Sequence, residues 1–301
     1  MPLSITKRND KEYLYFKING LERIYLGTVQ KPNTERIKDA IYHLNQKINT
    51  YKKEKQKLEG LITGVVQKEE FNIKYKLIIF DLDGVIFNKP WHGANTSVKT
   101  AVSTWDVLFQ SLGHYDIHEK YRDQYERGFF KSYLEWTENA CAFFKSIGLT
   151  REKYEEVINN RKFTHGAKEV FQVLSKNITK VAVITGSFNA LAKRAKRELE
   201  NINFLYSSCK FIFNKEGLLN NWKINPTDYN HKARIVQKLI KELGLDRKDC
   251  AYIGDDVNDI PAFGEVGIAI AFNSNKNIVR KKANIIIDSI DLQSILPHLS
   301  R

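Results

Sequence analysis

From Lys74 onward, short apolar runs alternate with amphipathic stretches. The runs at 76–80, 181–184, 250–253 and 268–272 are apolar almost throughout. Strands covered on both faces have this pattern, because neither side of the pleat meets water. Between them, apolar positions in 168–174, 191–199 and 233–243 recur at helical spacing. This alternation predicts an α/β fold with a doubly wound parallel sheet. Residues 89–163, rich in Trp, Tyr and Phe, interrupt it and are expected to form a helical insertion after the first strand. The stretch 209–224, with Asn214-Lys215-Glu216-Gly217 in its middle, predicts a hairpin excursion.

The first ~70 residues follow another pattern. A strand is expected over 13–18, a turn at Asn19-Gly20 and a return strand over 21–26. Pro32-Asn33-Thr34-Glu35 reads as a helix start, and the lysine-rich helix it opens runs to about 58. Gly60 and Gly64 break it, and 65–72 reads as a linker. The apolar positions Ile37, Ile41, Leu44, Ile48, Tyr51, Leu58 and Ile62 advance by fours and threes, with Lys55 filling the gap. That 3.5-residue period suits a coiled-coil seam, hence a homodimer through this helix. The alternative is that the stripe packs on its own chain. The expected domains are a basic module over 1–73, a core over 74–88 and 164–301, and a helical cap over 89–163.

A length of 301 residues favours two domains, and 42% apolar with 28% charged residues excludes wholesale disorder. Lys and Arg number 48 against 35 Asp and Glu, a net charge of +13. That excess admits an anionic partner, a small phosphate or a nucleic acid, without choosing between them. Tyr13, Tyr15 and Tyr25 among basic residues keep nucleic-acid binding open; a hairpin packed on its own helix is the competing expectation. Cys141, Cys209 and Cys250 are widely spaced and odd in number, which argues against a disulfide framework or a CxxC metal site. No apolar run is long enough to span a bilayer, and the N-terminus lacks a signal-peptide core. A reduced, cytoplasmic protein with no membrane partner is expected.

The candidate chemistry lies where strands end. Asp81-Leu82-Asp83-Gly84-Val85 follows the first run directly, and residues two apart in an extended chain point the same way. Asp81 and Asp83 therefore face the carboxyl edge of the sheet, where open α/β sheets bind ligands. A calcium loop is a poor alternative, since His92 stands at the twelfth position where a Glu is needed. Gly254-Asp255-Asp256-Val257-Asn258-Asp259 follows the run at 250–253 and brings more carboxylates to the same edge. Capping of the next helix by Asn258 or Asp259 is the bland alternative. Converging acidic strand ends suit Mg²⁺, a small hard cation that takes oxygen ligands. Thr185-Gly186-Ser187 ends another strand and opens a helix, a place for an anion or for an ordinary N-cap. Lys232 begins a helix, and among so many lysines a solvated position is its default.

In this order the motifs resemble the haloacid dehalogenase (HAD) superfamily, in its phosphoserine phosphatase-like branch. The likeness spans roughly 74–301 and takes in the 267–273 strand and a tail helix over 291–296. Response-regulator receivers differ, because their acidic pair precedes the phosphorylated Asp. Dehalogenases proper lack the second acid, here Asp83. The resemblance implies a Rossmann-like core and a Mg²⁺-dependent phosphatase. It implies Asp81 as nucleophile forming an aspartyl-phosphate, and Asp83 as general acid and base. It implies metal binding by Asp81, the Asp83 backbone carbonyl, Asp255 and Asp259, and phosphate binding by Thr185, Gly186, Lys232 and Asn258. The substrate would be a small phosphorylated metabolite. Alternatives are a phosphomutase and a nucleic-acid-associated phosphatase using the basic module. Phosphoserine phosphatases carry a Glu just beyond the first motif and an Arg in the cap. The matching places here fall near Pro90-Trp91 and in Ser132-Tyr133-Leu134-Glu135-Trp136, so free phosphoserine is expected to be a poor substrate. Trp91, Trp105 and Trp136 line a less polar pocket or pack the cap core.

Overall fold

The computed structural model describes residues 3–8, 11–16, 24–28, 71–89 and 103–300. The chain divides into two compact units between Glu70 and Phe71. In the first, β1 (Leu3–Arg8), β2 (Lys11–Phe16) and β3 (Ile24–Thr28) form an antiparallel sheet in that order. The expected hairpin accounts for β2 and β3, although β3 starts at Ile24 rather than Leu21 and its register shifts between Leu14 and Tyr15. β1 goes beyond that expectation, because Leu3 and Ile5 among Ser4 and Thr6 supply too few apolar residues to mark a strand. The expected helix over 34–58, its stripe from Ile37 to Ile62, and Trp91 lie outside the described residues.

The second unit opens with β4 (Leu77–Phe80). Among the described residues four helices follow: α1 (Thr104–Ser111), α2 (Tyr115–Glu126), α3 (Tyr133–Ser146) and α4 (Arg151–Asn160). Next come α5 (Ala167–Ser175), β5 (Lys180–Phe188), α6 (Asn189–Glu198), β6 (Ile202–Phe213), β7 (Leu219–Ile224) and α7 (Asn230–Glu242). The chain ends through β8 (Cys250–Gly254), α8 (Ile260–Phe263), β9 (Ile268–Phe272), α9 (Asn277–Lys282), β10 (Ile285–Ile287) and α10 (Leu296–Leu299). The seven-stranded sheet has the order β10-β9-β8-β4-β5-β6-β7, parallel except for the β6–β7 pair.

β4 sits centrally and is buried on both faces. Ile78 and Phe80 join one core, where Phe80 meets the Phe171 ring at 5.1 Å. Leu77 and Ile79 join the other, with Val236, Leu239 and Tyr252. Each such side chain contributes about 1.5–3 kcal/mol of burial, so the strand cannot slip without exposing one set. Two elements escape the apolar pattern. β6 enters the sheet at Ile202, ahead of the expected hairpin, and β10 adds a short edge strand. The tail at 291–296 is not one helix but a 3₁₀ turn, Leu292–Ile295, leading into α10.

The helices α1 to α4 bury an aromatic cluster: Trp105 meets Trp136 at 5.3 Å, and Phe109 meets Phe144 at 4.4 Å. Cys141 of α3 and Cys209 of β6 are buried free thiols with sulfurs 3.6 Å apart. Among the described residues no helix is long and apolar enough to cross a membrane.

Candidate active site

Register decides which side chains meet. Phe80 pairs with Ile253 on one side and Val183 on the other, so the residues following β4 and β8 and the outer part of β5 share one edge. The Asp81 backbone N–H donates to the Ile253 carbonyl at 2.9 Å. Lys232, in the first turn of α7, is fully buried rather than solvated. Its Nζ lies 2.6 Å from Asp81 Oδ1 and 2.6 Å from Asp259 Oδ1. Burial works against this ammonium, but the Asp259 and Asp81 carboxylates outweigh it and hold its pKa well above the ordinary lysine value. Burial drives the Asp81 carboxyl well above the usual range; Lys232 pulls it down, while Asp259 and Asp255 push it further up.

Asp259 is held from four sides. Its Oδ1 also accepts from the Tyr252 hydroxyl at 2.9 Å, and its Oδ2 accepts the backbone N–H groups of Asp255 at 2.9 Å and Asp256 at 3.1 Å. Capping of the Val257–Asp259 turn falls to Asp256, with Asp259 reciprocating, and not to Asn258. Likewise neither Thr185 nor Ser187 caps α6. β5 runs on through Phe188, and the helix starts at Asn189 without a side-chain cap.

Asp81, Asp255 and Asp259 each place an oxygen within 4.8 Å of the others. Asp255 Oδ1 is buried with no partner, while Lys89 pairs with Oδ2. Burial pushes the Asp255 carboxyl up to about 7, with Lys89 opposing. A buried, unpartnered carboxylate oxygen beside two further carboxylates is a donor set for a hard divalent cation, and Mg²⁺ fits it. Gly84, at φ 87°, is required at this spot, because a Cβ there would overlap the Asp255 carboxylate. The Asp83 carboxylate turns elsewhere. It accepts from the Thr104 N–H at 3.1 Å, the Thr104 hydroxyl at 2.6 Å and Arg161 Nη2 at 3.2 Å.

On the other side of Asp81, Thr185 is buried and its Oγ1 accepts the Ser187 N–H at 3.0 Å. The Gly186 carbonyl accepts from Trp105 Nε1 at 3.1 Å and the Tyr133 hydroxyl at 3.2 Å, so two helices of the insertion grip this end of β5. Asp228 packs so closely on Gly186 that a Cβ there would overlap its carboxylate. Asn258 Nδ2 donates to Asp228 Oδ1 at 2.7 Å. Burial raises the Asp228 pKa to about 6 against the opposing pull of Lys232. The structure thus brings Asp81, Asp83, Thr185, Gly186, Asp255 and Asn258 to the wall of a cavity of about 630 Å³, while Lys232 and Asp259 are buried next to Asp81 without lining it. Sequence reasoning missed Lys89, Thr104, Arg161 and Asp228. The Asp228–Lys232 spacing of four was a visible signal for the last.

A strand-edge acidic cluster, a buried lysine and a helical insertion are shared by many chains, so known proteins decide the family. The family model described as haloacid dehalogenase-like hydrolase matches residues 75–267. The chain belongs to that family. A phosphoserine phosphatase of Methanocaldococcus jannaschii is 27% identical over 227 residues, covering 75% of this chain and 98% of that protein. Another, from Wolinella succinogenes, is 29% identical over 226 residues, covering 74% and 100%. A solved phosphoserine phosphatase holding a phospho-aspartyl intermediate analogue is 27% identical at a TM-score of 0.62, over 75% of this chain and 100% of that one. This HAD hydrolase is accordingly a phosphoric monoester hydrolase, with the Rossmann-like core of its family.

Proposed function

We propose that this chain hydrolyses a small phosphate monoester through an aspartyl-phosphate on Asp81, with 89–163 as the cap over the site. The observation that carries the reading is Lys232 held at 2.6 Å from both Asp81 and Asp259. That contact fixes Asp81 Oδ1 and leaves Oδ2 for phosphorus. Mg²⁺, held by Asp81, Asp255 and the Asp83 backbone carbonyl with Asp259 bracing the loop, supplies charge screening when bound. Thr185, the Gly186 N–H, Lys232 and Asn258 would hold the phosphoryl oxygens. As the Asp81–phosphorus bond forms, the ester P–O bond breaks and Asp83 protonates the leaving oxygen. Asp83 then takes a proton from the water that attacks phosphorus, releasing phosphate and restoring Asp81. Because Thr104 opens α1, the aim of Asp83 depends on where the cap stands. Turnover exchanges its contacts with Thr104 for the leaving oxygen.

The test is an assay of phosphate esters with Mg²⁺, run beside trapping of the intermediate with hydroxylamine. The wild type is expected to give a hydroxylamine-sensitive phosphoryl label, and Asp81→Asn to lose both label and turnover. Turnover at the wild-type rate by Asp81→Asn would end this reading.

A further inference from the structure

We propose that the alcohol released from this site carries an ammonium group and no carboxylate, so that the substrates are phosphorylated amino alcohols. The proposal rests on the hydrolytic reading above and names its substrate class. It starts from the aromatic side chains that line the cavity. Tyr133 stacks on Trp136 at 5.4 Å and 15°, and the Tyr229 ring lies 5.9 Å from Tyr133 and 6.1 Å from Tyr125. All four line the cavity. Tyr229 reaches this place from a backbone at φ 49° and ψ −124°, a conformation that a tyrosine adopts only when its surroundings impose it. Clustered aromatic faces carry negative quadrupole charge, and that surface attracts cations, quaternary ammonium groups above all.

The charges of the cavity point the same way. Asp106, Glu126 and Asp228 line it, Asp106 paired with His118 at 3.0 Å and Asp228 bound by Asn258 at 2.7 Å. The cations that line the cavity with them sit among acids: Lys89 pairs with Asp255 and also feels Asp256 and Asp259, which stay beside it when Mg²⁺ takes Asp255, while Lys276 pairs with Asp256 and Arg122 with Glu119 at 3.4 Å. Lys232 serves Asp81 and Asp259. A carboxylate on the leaving group would therefore compete with these acids for a cation and meet aromatic faces and like charge. An ammonium meets the rings and adds a favourable charge beside Glu126, and beside Asp106 and Asp228, which keep their bonds to His118 and Asn258.

The experiment measures kcat/KM of the full-length chain with Mg²⁺ on five esters. They are phosphocholine, phosphoethanolamine, O-phosphoserine, p-nitrophenyl phosphate, and 3,3-dimethylbutyl phosphate, the uncharged isostere of phosphocholine. Phosphoethanolamine is phosphoserine without its carboxylate, so that pair isolates the carboxylate; phosphocholine and its isostere isolate the positive charge. The expected result is at least a tenfold preference for an ammonium ester in its pair, with phosphocholine or phosphoethanolamine leading according to ring fit. Tyr229→Leu, or Tyr125→Leu should the first not fold, is expected to shrink the phosphocholine-to-isostere ratio toward one. Tryptophan fluorescence of Asp81→Asn titrated with phosphocholine and with its isostere reads the same preference without turnover. Equal rates and affinities within the isostere pair, or phosphoserine as the best ester, would overturn the proposal. Hydrolysis of none of the five would instead overturn the hydrolytic reading, and this proposal with it.

Discussion

Lys232 shows how much rests on single buried charges here. It lies between Asp81 and Asp259 with no exposure, and Lys232→Met would keep the chain length while leaving both carboxylates without their cation. Breaking a buried pair from one side costs roughly 3–5 kcal/mol. Urea denaturation at neutral pH is expected to show a loss of that order, and a loss below about 1 kcal/mol would contradict the buried pairing. Asp228 offers a pH test. Its pKa rises from an ordinary 3.8 to about 6 on folding, so the folded state holds the proton more tightly. The associated stability is complete below pH 3.8 and is lost as pH rises through about 6. Relative to Asp228→Asn, which does not titrate, the wild type should lose up to about 3 kcal/mol across that window and nothing further above pH ~7. Denaturation curves of both proteins in chelator from pH 4 to 8 check this; a constant difference would show that Asp228 is not shifted.

At the scale of elements, α1 ties the inserted helices to the end of the sheet. Ser103 and Asp106 form a capping box that starts this helix, which places Thr104 at Asp83 and Trp105 at Gly186. Tyr133, at the start of α3, donates to the same Gly186 carbonyl. The two donors back each other up. Tyr133→Phe alone should cost about 1 kcal/mol or less, because Trp105 still satisfies that carbonyl. Trp105→Phe together with Tyr133→Phe leaves the carbonyl without either donor and should cost about 1–3 kcal/mol beyond the sum of the singles. A thermodynamic cycle on the four proteins measures this, and additivity would show that the contacts are independent.

At the scale of the whole molecule, the acidic edge should make folding sensitive to Mg²⁺. Asp81 and Asp255 are costly to ionise in isolation, and a cation bound only by the folded state stabilises it by about 2.7 kcal/mol at a hundredfold excess over Kd. For a folded unit of this size that is on the order of 5–10 °C in Tm. Thermal melts of the full chain should show the rise with millimolar Mg²⁺, its reversal by chelator and its loss in Asp255→Asn. No shift in the wild type would place the metal elsewhere or nowhere.

Much of this could be read along the chain, for a physical reason. A parallel strand presents its carboxyl end to one edge, so acidic residues directly after the apolar runs at 77–80 and 250–253 had to meet whatever the loops between them did. Apolar continuity located β4, β5, β8 and β9 because double-sided burial leaves no polar position, and the order of Asp81, Thr185, Lys232 and Asp255 then named the family. β10, with three residues, and the first half of β6, half-buried, left no such trace. Tertiary structure alone decided the partners. Thr104 and Arg161 reach Asp83 across 21 and 78 residues, and Asn258 reaches Asp228 across 30. It also decided that Lys232 is buried and that Trp105 both packs among the inserted helices and donates to the Gly186 carbonyl. A hydrogen bond or ion pair depends on distances of a few tenths of an ångström between chain-distant groups, and local periodicity carries no information about those distances.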